Sequence, residues 1–217
     1  MRTVFISGVD KGLGRAFAER FLGNGDFVIG TSITGAVDYT HKNLTILPLD
    51  FLKPDTINYC IQEIKNLNKP IDILINNAGI LIDRDDEIPD LKKIRTTLEV
   101  NLFGHIQITE GLISHINSNG HIINVSSSAG SLENTTQAHY PAYKMSKAAL
   151  NMYTRTLAVR LRGQIIVSSF HPGWTKTDMG GLDADLTPEE VADDMFDFVN
   201  SKPETGQFWF KGQKFPW

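Results

Sequence analysis

The chain has 217 residues, 41% hydrophobic and 21% charged, a size at which one layered unit can bury a substantial core. A formal net charge of −4 argues against nucleic acid or an anionic membrane surface as partner. Cys60, the only cysteine, excludes an internal disulfide or a thiolate metal cluster within one chain and points to a reducing compartment. With no leader-like apolar stretch after Met1 and no run of roughly 18 apolar residues, a cytoplasmic chain without a membrane span is expected.

In chain order, Val4-Phe5-Ile6 predicts a strand that stops at Ser7-Gly8, and Leu13, Ala16, Phe17, Phe21 and Leu22 then recur at helical spacing. Strand-like runs follow at Phe27 to Ile29 and Leu44 to Leu49. A helical stretch carrying Ile57, Cys60, Ile61 and Ile64 leads into a strand from Ile71 to Ile75. The pattern then predicts one long helix from about Leu91 to Ile116, a strand from His121 to Val125, a helix after Pro141 and a strand from Ile165 to Phe170. Thr187-Pro188-Glu189-Glu190 has the N-cap, first-turn proline and third-position glutamate of a capping box, so a last helix starts there, before a closing strand at Gln207 to Phe210. Strands rich in Val and Ile with little polar alternation are buried on both faces, which predicts a doubly wound α/β fold with a mostly parallel sheet. No repeat or Pro/Ser-rich linker divides the chain, so residues 1–217 are expected to form a single domain.

The first chemistry-bearing feature is the turn Ser7-Gly8-Val9-Asp10-Lys11-Gly12-Leu13-Gly14 between the first strand and the first helix. There, close backbone approach and a free helix N-terminus can hold a pyrophosphate. The spacing is G-x-x-x-G-x-G, a variant of the usual dinucleotide fingerprint, and the plain alternative is a turn that only permits tight strand-to-helix packing.

Together with Asn76-Asn77-Ala78-Gly79, Asn101 in Val100-Asn101-Leu102-Phe103-Gly104, Ser127 with Gly130, Tyr143 with Lys147, and Pro172-Gly173 with Thr177, this turn resembles the short-chain dehydrogenase/reductase family along essentially the whole chain. The stretch Pro172 to Gly181 and the ending Gly212 to Trp217 further resemble the small C-factor-like carbonyl reductases. The resemblance implies a Rossmann fold and hydride transfer between a nicotinamide cofactor and a small carbonyl or alcohol. It implies Asn101, Ser127, Tyr143 and Lys147 as the catalytic set. Tyr143 is the proton-transfer group, Ser127 bonds the substrate oxygen, Lys147 also holds the nicotinamide ribose, and Asn101 organises a water in the proton relay. The cofactor is expected to lie against Gly8, Asp10, Lys11, Gly12, Leu13, Gly14, Ser32, Asp50, Phe51, Asn77, Ala78, Gly79, Tyr143, Lys147, Pro172, Gly173, Thr175 and Thr177. NADP(H) is favoured over NAD(H), because no acid stands at Ser32 and Lys11 can reach a 2′-phosphate as a point charge.

The residue types suit that chemistry. A carbonyl that accepts a hydride needs a proton for the developing alkoxide, and a lysine ammonium one helical turn from a tyrosine favours the phenolate, drawing its pKa from about 10 toward neutrality. Tyr140 and Lys144 show the same spacing, but Pro141 predicts a helix that begins there and leaves Tyr140 outside it. Plainer readings stand beside each role: an ordinary i,i+4 pair for Tyr143 and Lys147, a strand end for Ser127 in competition with Ser126 and Ser128, and a helix-bending amide for Asn101. Asn76 reads as a strand tie and Asn77 as facing the cofactor, while Asp50 reads equally as a turn starter. His41, His105, His115, His121, His139 and His171 show no metal-ligand spacing, so no metal is expected. Cys60 and the aromatic ending read as packing. A non-catalytic cofactor-binding sensor is the main rival, and an epimerase or dehydratase the second. Only nine residues, Asp178 to Leu186, stand where the family often carries a longer lid, and they fit an open site and a segment made mobile by Gly180-Gly181 equally, so the substrate is left open. The family's habit of pairing through the long helix and the tyrosine helix implies a homodimer or homotetramer, against the alternative that Leu98 and Leu102 face the sheet.

Overall fold

A computed structural model describes residues 1–217. In chain order the elements are β1 (Thr3–Ile6), α1 (Gly12–Gly23), β2 (Phe27–Ser32), β3 (Leu44–Pro48), α2 (Pro54–Asn66), β4 (Ile71–Asn76), α3 (Leu91–Leu98), α4 (Gly104–Leu112), β5 (Ile116–Val125), α5 (Pro141–Arg160), β6 (Ile166–Phe170), α6 (Pro188–Asn200), β7 (Gln207–Phe210) and β8 (Gln213–Lys214). The eight strands form one sheet in the order β3-β2-β1-β4-β5-β6-β7-β8, parallel except for the last pair.

Strand β1 shows why the apolar runs lack alternation. Val4 and Ile6 pack on Phe17 and Phe21 of α1 and on Met195 and Phe198 of α6. Phe5, on the other face, packs on Ile57 and Ile64 of α2, Ile108 and Leu112 of α4, and Leu157 of α5. Both faces are dry from Val4 to Ile6, so these three positions are all apolar, and each large side chain so buried contributes roughly 1.5–3 kcal/mol. The strand order reverses between β1 and β4, which opens a crevice at their carboxyl ends. The glycine turn and Asn76 to Gly79 both leave the sheet there. The capping box of α6 forms as expected, with the Glu190 N–H donating to Thr187 Oγ1 at 3.2 Å and the Thr187 N–H to Glu190 Oε2 at 2.8 Å. No helix is long and apolar enough to cross a membrane.

Three details depart from the sequence reading. The long helix expected from Leu91 to Ile116 is broken by a π turn at Glu99–Phe103 and a 3₁₀ turn at Ile113–His115. Strand β5 starts at Ile116, not His121, because Ile116 pairs with Ile71 across the sheet. Strand β8 follows a two-residue turn in which Lys211 and Gly212 have φ of 47° and 70°, the paired left-handed backbone of a tight hairpin.

Candidate active site

The glycine turn is built around places where no side chain fits. Gly8 and Gly12 have φ of 72° and 55°, backbone that other residues rarely adopt. A Cβ on Gly14 would overlap the Gly8 carbonyl oxygen and stand 2.5 Å from Asn77 Nδ2. That amide is fully engaged, donating to the carbonyls of Ser7 at 2.9 Å and Gly8 at 3.1 Å, while Ser7 Oγ accepts from the backbone N–H groups of Asn77 and Ala78. The turns after β1 and β4 are thus welded together. Helix α1 begins with no side-chain cap and no acid in its first turn, leaving its free N–H groups and positive dipole end open toward the crevice.

That crevice is a cavity of about 960 Å³. Its walls include Gly8, Asp10, Lys11, Gly12, Leu13, Gly14, Ser32, Asp50, Phe51, Asn77, Ala78, Gly79, Tyr143, Lys147, Pro172 and Thr177. Thr175 is buried behind the wall, with its hydroxyl 3.4 Å from the Pro172 and Gly173 carbonyls, and Gly173 makes a turn at φ 78°. Asp50 serves as a turn starter while facing the cavity: its Oδ1 accepts from the Leu52 N–H at 3.0 Å. Ser32 is 3% exposed and spends its hydroxyl on the turn, bonding the Ala36 backbone at 2.9 and 3.0 Å.

Tyr143 and Lys147 approach this cavity from α5. Lys147 is 3% exposed, and its Nζ donates to the Val125 carbonyl at 2.8 Å. Burial lowers the ammonium from its ordinary 10.5 to about 8. The closeness of α5 to the strand end requires Gly130: a Cβ there would stand 2.7 Å from the Lys147 carbonyl carbon. Ser127, at the head of the 3₁₀ turn Ser128–Gly130, accepts from the Ala129 N–H at 3.1 Å, and its hydroxyl faces the Tyr143 phenol closely enough to draw its pKa down. Ser126 lines the cavity, with its buried hydroxyl unpartnered. Burial pushes the Tyr143 phenol up to about 12, and the Ser127 hydroxyl opposes that only in part. This differs from the expected drop toward neutrality. The ammonium lies 5.5 Å from the phenol ring centroid and is turned to Val125, and desolvation outweighs it. Tyr140 stands outside the helix, as Pro141 predicts, with the Lys144 ammonium over its ring at 4.9 Å, and it does not reach the cavity wall.

Asn101 sits in the π turn, fully buried, one layer behind the wall. Its Oδ1 accepts from the Ile80 N–H at 2.8 Å, and its Nδ2 donates to the Ile80 carbonyl at 2.9 Å and to Ser146 Oγ at 3.1 Å. It therefore ties the loop after Gly79 to α5 and does not bond its own helix. Asn76 ties strands as expected, donating to Asn124 Oδ1 at 2.7 Å and Thr109 Oγ1 at 2.9 Å. His105 Nε2 donates its N–H to the Ala78 carbonyl at 2.7 Å, and burial lowers its imidazole to about 3, so the ring is neutral in use. No group of three or more His, Cys, Asp or Glu residues is placed to hold a metal ion.

Among the wall residues that sequence reasoning missed, Arg15 stands at the glycine turn. It follows Gly14 directly, stacks over Tyr39 at 4.9 Å and pairs with Glu19 and Asp38, both at 2.9 Å. A cation at the first turn of α1 was the available signal. Lys11 pairs across the mouth with Asp178 at 2.7 Å, with both side chains largely exposed. Arg84 holds the Met179 carbonyl and Trp174 Nε1 donates to the Gly180 carbonyl at 2.7 Å, so the segment after Thr177 is strapped over the cavity.

The cradle fits a phosphate-bearing dinucleotide. The comparisons point the same way. The family model for short chain dehydrogenases matches residues 2–186. Among curated proteins, the chain is 34% identical over 158 residues to C-signal of Myxococcus xanthus, covering 68% of this chain and 93% of that one. It is 32% identical over 186 residues to 3-oxoacyl-[acyl-carrier-protein] reductase FabG of Aquifex aeolicus, covering 80% and 74%. Among solved structures, it superimposes on NADPH-bound carbonyl reductase from chicken fatty liver with a TM-score of 0.90 at 27% identity, covering 100% and 99%. For carbonyl reductase Sniffer of D. melanogaster the TM-score is 0.88 at 26% identity, with both chains fully covered at 100%. The family match spans the glycine turn, the Asn76 to Gly79 segment and the Tyr143 helix that together wall the cavity, and on that ground the chain belongs to the short-chain dehydrogenase family of oxidoreductases.

Proposed function

We propose that the chain, acting as a single domain over residues 1–217, interconverts a small-molecule carbonyl and its alcohol with NADP(H), in a cytoplasmic setting. One observation carries the reading: Tyr143 lines the same cavity as the glycine turn and stands beside Lys147. The free N–H groups at the start of α1 would hold the pyrophosphate, and the Lys11 and Arg15 cations at that end would meet a 2′-phosphate. When bound, the cofactor supplies the hydride.

The chain's own residues do the rest. With its pKa at about 12, Tyr143 is a protonated phenol at neutral pH and is ready to donate to the oxygen of a carbonyl undergoing reduction. The Ser127 hydroxyl, close to the phenol, can offer its one proton to the same oxygen. Lys147, held by Val125, keeps its ammonium at the cavity wall 5.5 Å from the phenol ring centroid, where it could meet a cofactor ribose. Asn101 holds Ile80 and Ser146 in register, which supports a positioning role beside the relay role that the family resemblance implies. Relatives support the chemistry: one is a 3-oxoacyl-[acyl-carrier-protein] reductase and one a carbonyl reductase with NADPH bound.

The likeness to C-signal favours a second reading, a cofactor-binding protein that signals without turnover. The Ser127, Tyr143 and Lys147 set argues against it, since binding alone does not need a proton donor. Purified protein assayed against aldehydes, ketones and quinones with NADPH and with NADH decides between the two. Consumption of NADPH with a carbonyl substrate is expected; tight NADPH binding with no turnover across the panel would favour the signalling reading.

A further inference from the structure

Helix α5, which carries Tyr143, has no cap of its own. Its N-cap position is Tyr140, a non-glycine residue in the left-handed region at φ 48°, whose side chain makes no capping bond. Pro141 follows and has no N–H to satisfy. The next N–H, that of Ala142, donates to Asp83 Oδ2 at 2.6 Å, across 59 residues of chain. Asp83 is 2% exposed, and its other oxygen, Oδ1, is buried with no partner. A carboxylate buried in this way without a paired cation is unfavourable unless something meets its charge. Here the positive end of the α5 dipole does so, together with the nearby Lys93 ammonium, whose pKa is raised first by Asp86 and also by Asp83.

The same loop grips the helix start a second time. The Tyr140 N–H donates to the Asp86 carbonyl at 2.9 Å, and the Asp86 carboxylate pairs with Lys93 of α3 at 2.7 Å. A left-handed tyrosine persists only where neighbours impose it. Local capping would have needed only a serine or aspartate at position 140. The long-range cap does something local capping cannot: it ties the loop running on from Gly79 and Ile80, at the cavity wall, to the residue immediately before Tyr143. Asn101 makes the inner tie between this loop and α5, through Ile80 and Ser146, and Asp83 makes the outer one.

We propose that Asp83 is a positioning residue, which fixes the first turn of α5 and with it the Tyr143 phenol against the cavity wall. The proposal rests on the role given to Tyr143 above. Without the outer tie, the helix keeps its body, pinned by Ser146 and Lys147, while its first turn frays and the phenol loses its alignment.

The test uses the full chain with Asp83→Ala and Asp83→Asn, in which asparagine can still accept from the Ala142 N–H. Asp83→Ala is expected to lower kcat by roughly 10- to 100-fold, the scale of a small misplacement of a reacting group. NADPH affinity should stay within about twofold, because the glycine turn is untouched. Amide exchange should quicken at Ala142 and Tyr143 and hold at Leu150. Asp83→Asn should recover kcat to within about fivefold of wild type. Wild-type kcat in Asp83→Ala overturns the proposal. So does a chain that fails to fold, a joint loss of kcat, NADPH affinity and mid-helix protection, or an Asp83→Asn enzyme as impaired as Asp83→Ala. If the wild type turns over no carbonyl, the functional reading fails by itself. The exchange measurement then still decides, since unchanged protection at Ala142 and Tyr143 in Asp83→Ala would refute the positioning role.

Discussion

Replacing Lys147 by methionine removes a buried ammonium while keeping an unbranched stem of similar length. The lysine is 3% exposed, and burial lowers it from 10.5 to about 8. In the unfolded chain it returns to its ordinary value. Between those two pH values the unfolded state therefore binds more protons than the folded state, so folding stability rises with pH through this window. Below about pH 8 both states carry the charge, and the full burial penalty stands, about 3 kcal/mol for the gap involved. The Nζ–H bond to Val125 offsets about 1 kcal/mol of it and is lost in the variant. The expected result, from urea unfolding of cofactor-free protein, is a Met variant more stable than wild type at about pH 7, with the wild type regaining about 2 kcal/mol on it by about pH 9.5. Comparing the two proteins removes groups they share: the neighbouring Tyr143 at about 12 and His105 at about 3 do not titrate in this range. The same variant should lose both NADPH affinity and turnover, which trades function against stability. A stability difference that is constant with pH to within about 0.5 kcal/mol would refute the claim that Lys147 is held charged against its burial.

Further outcomes are expected at the cavity wall. Tyr143→Phe should lower carbonyl reduction by roughly two to four orders of magnitude with folding intact, and Tyr140→Phe far less, measured as kcat/KM; equal losses would mean the wrong tyrosine has been assigned. Lys11→Ala should erode the preference for NADPH over NADH, while Asp178→Asn, which releases the Lys11 ammonium, should strengthen NADPH binding and leave NADH unchanged; calorimetric titration of both cofactors reads this, and a Lys11→Ala protein with unaltered preference refutes it. Gly14→Ala should destabilise the fold by roughly 1–3 kcal/mol and abolish cofactor binding, because its methyl group overlaps the Gly8 carbonyl; a variant that binds NADPH normally would show that the turn does not form the cradle.

Much of this molecule is legible in the order of its residues because local rules and tertiary structure agree. Val4-Phe5-Ile6 reads as a strand dry on both faces, and both faces are covered by helices. Thr187 to Glu190 reads as a capping box, and Pro141 as the start of α5 with Tyr140 outside it; each is a short-range steric or hydrogen-bonding fact that the rest of the chain does not overrule. The glycines that wall the cavity were equally readable, since their spacing between a strand and a helix reflects backbone that admits no side chain.

What stayed hidden depends on residues far apart in the chain. Nothing near Asn101 says that its amide turns away from its own helix to Ile80 and Ser146, or that the helix must widen into a π turn to bring it there. The two-residue strand β8 has no apolar pattern to announce it and exists because Phe210 and Gln213 meet across a tight turn. The acidity of Tyr143 was misjudged from spacing alone: four residues set the distance to Lys147 but not where its ammonium points, nor how much water both side chains lose. Charge and spacing along the chain are local quantities. Desolvation depends on everything packed around a group, and here that packing holds the phenol protonated and the lysine near release of its proton.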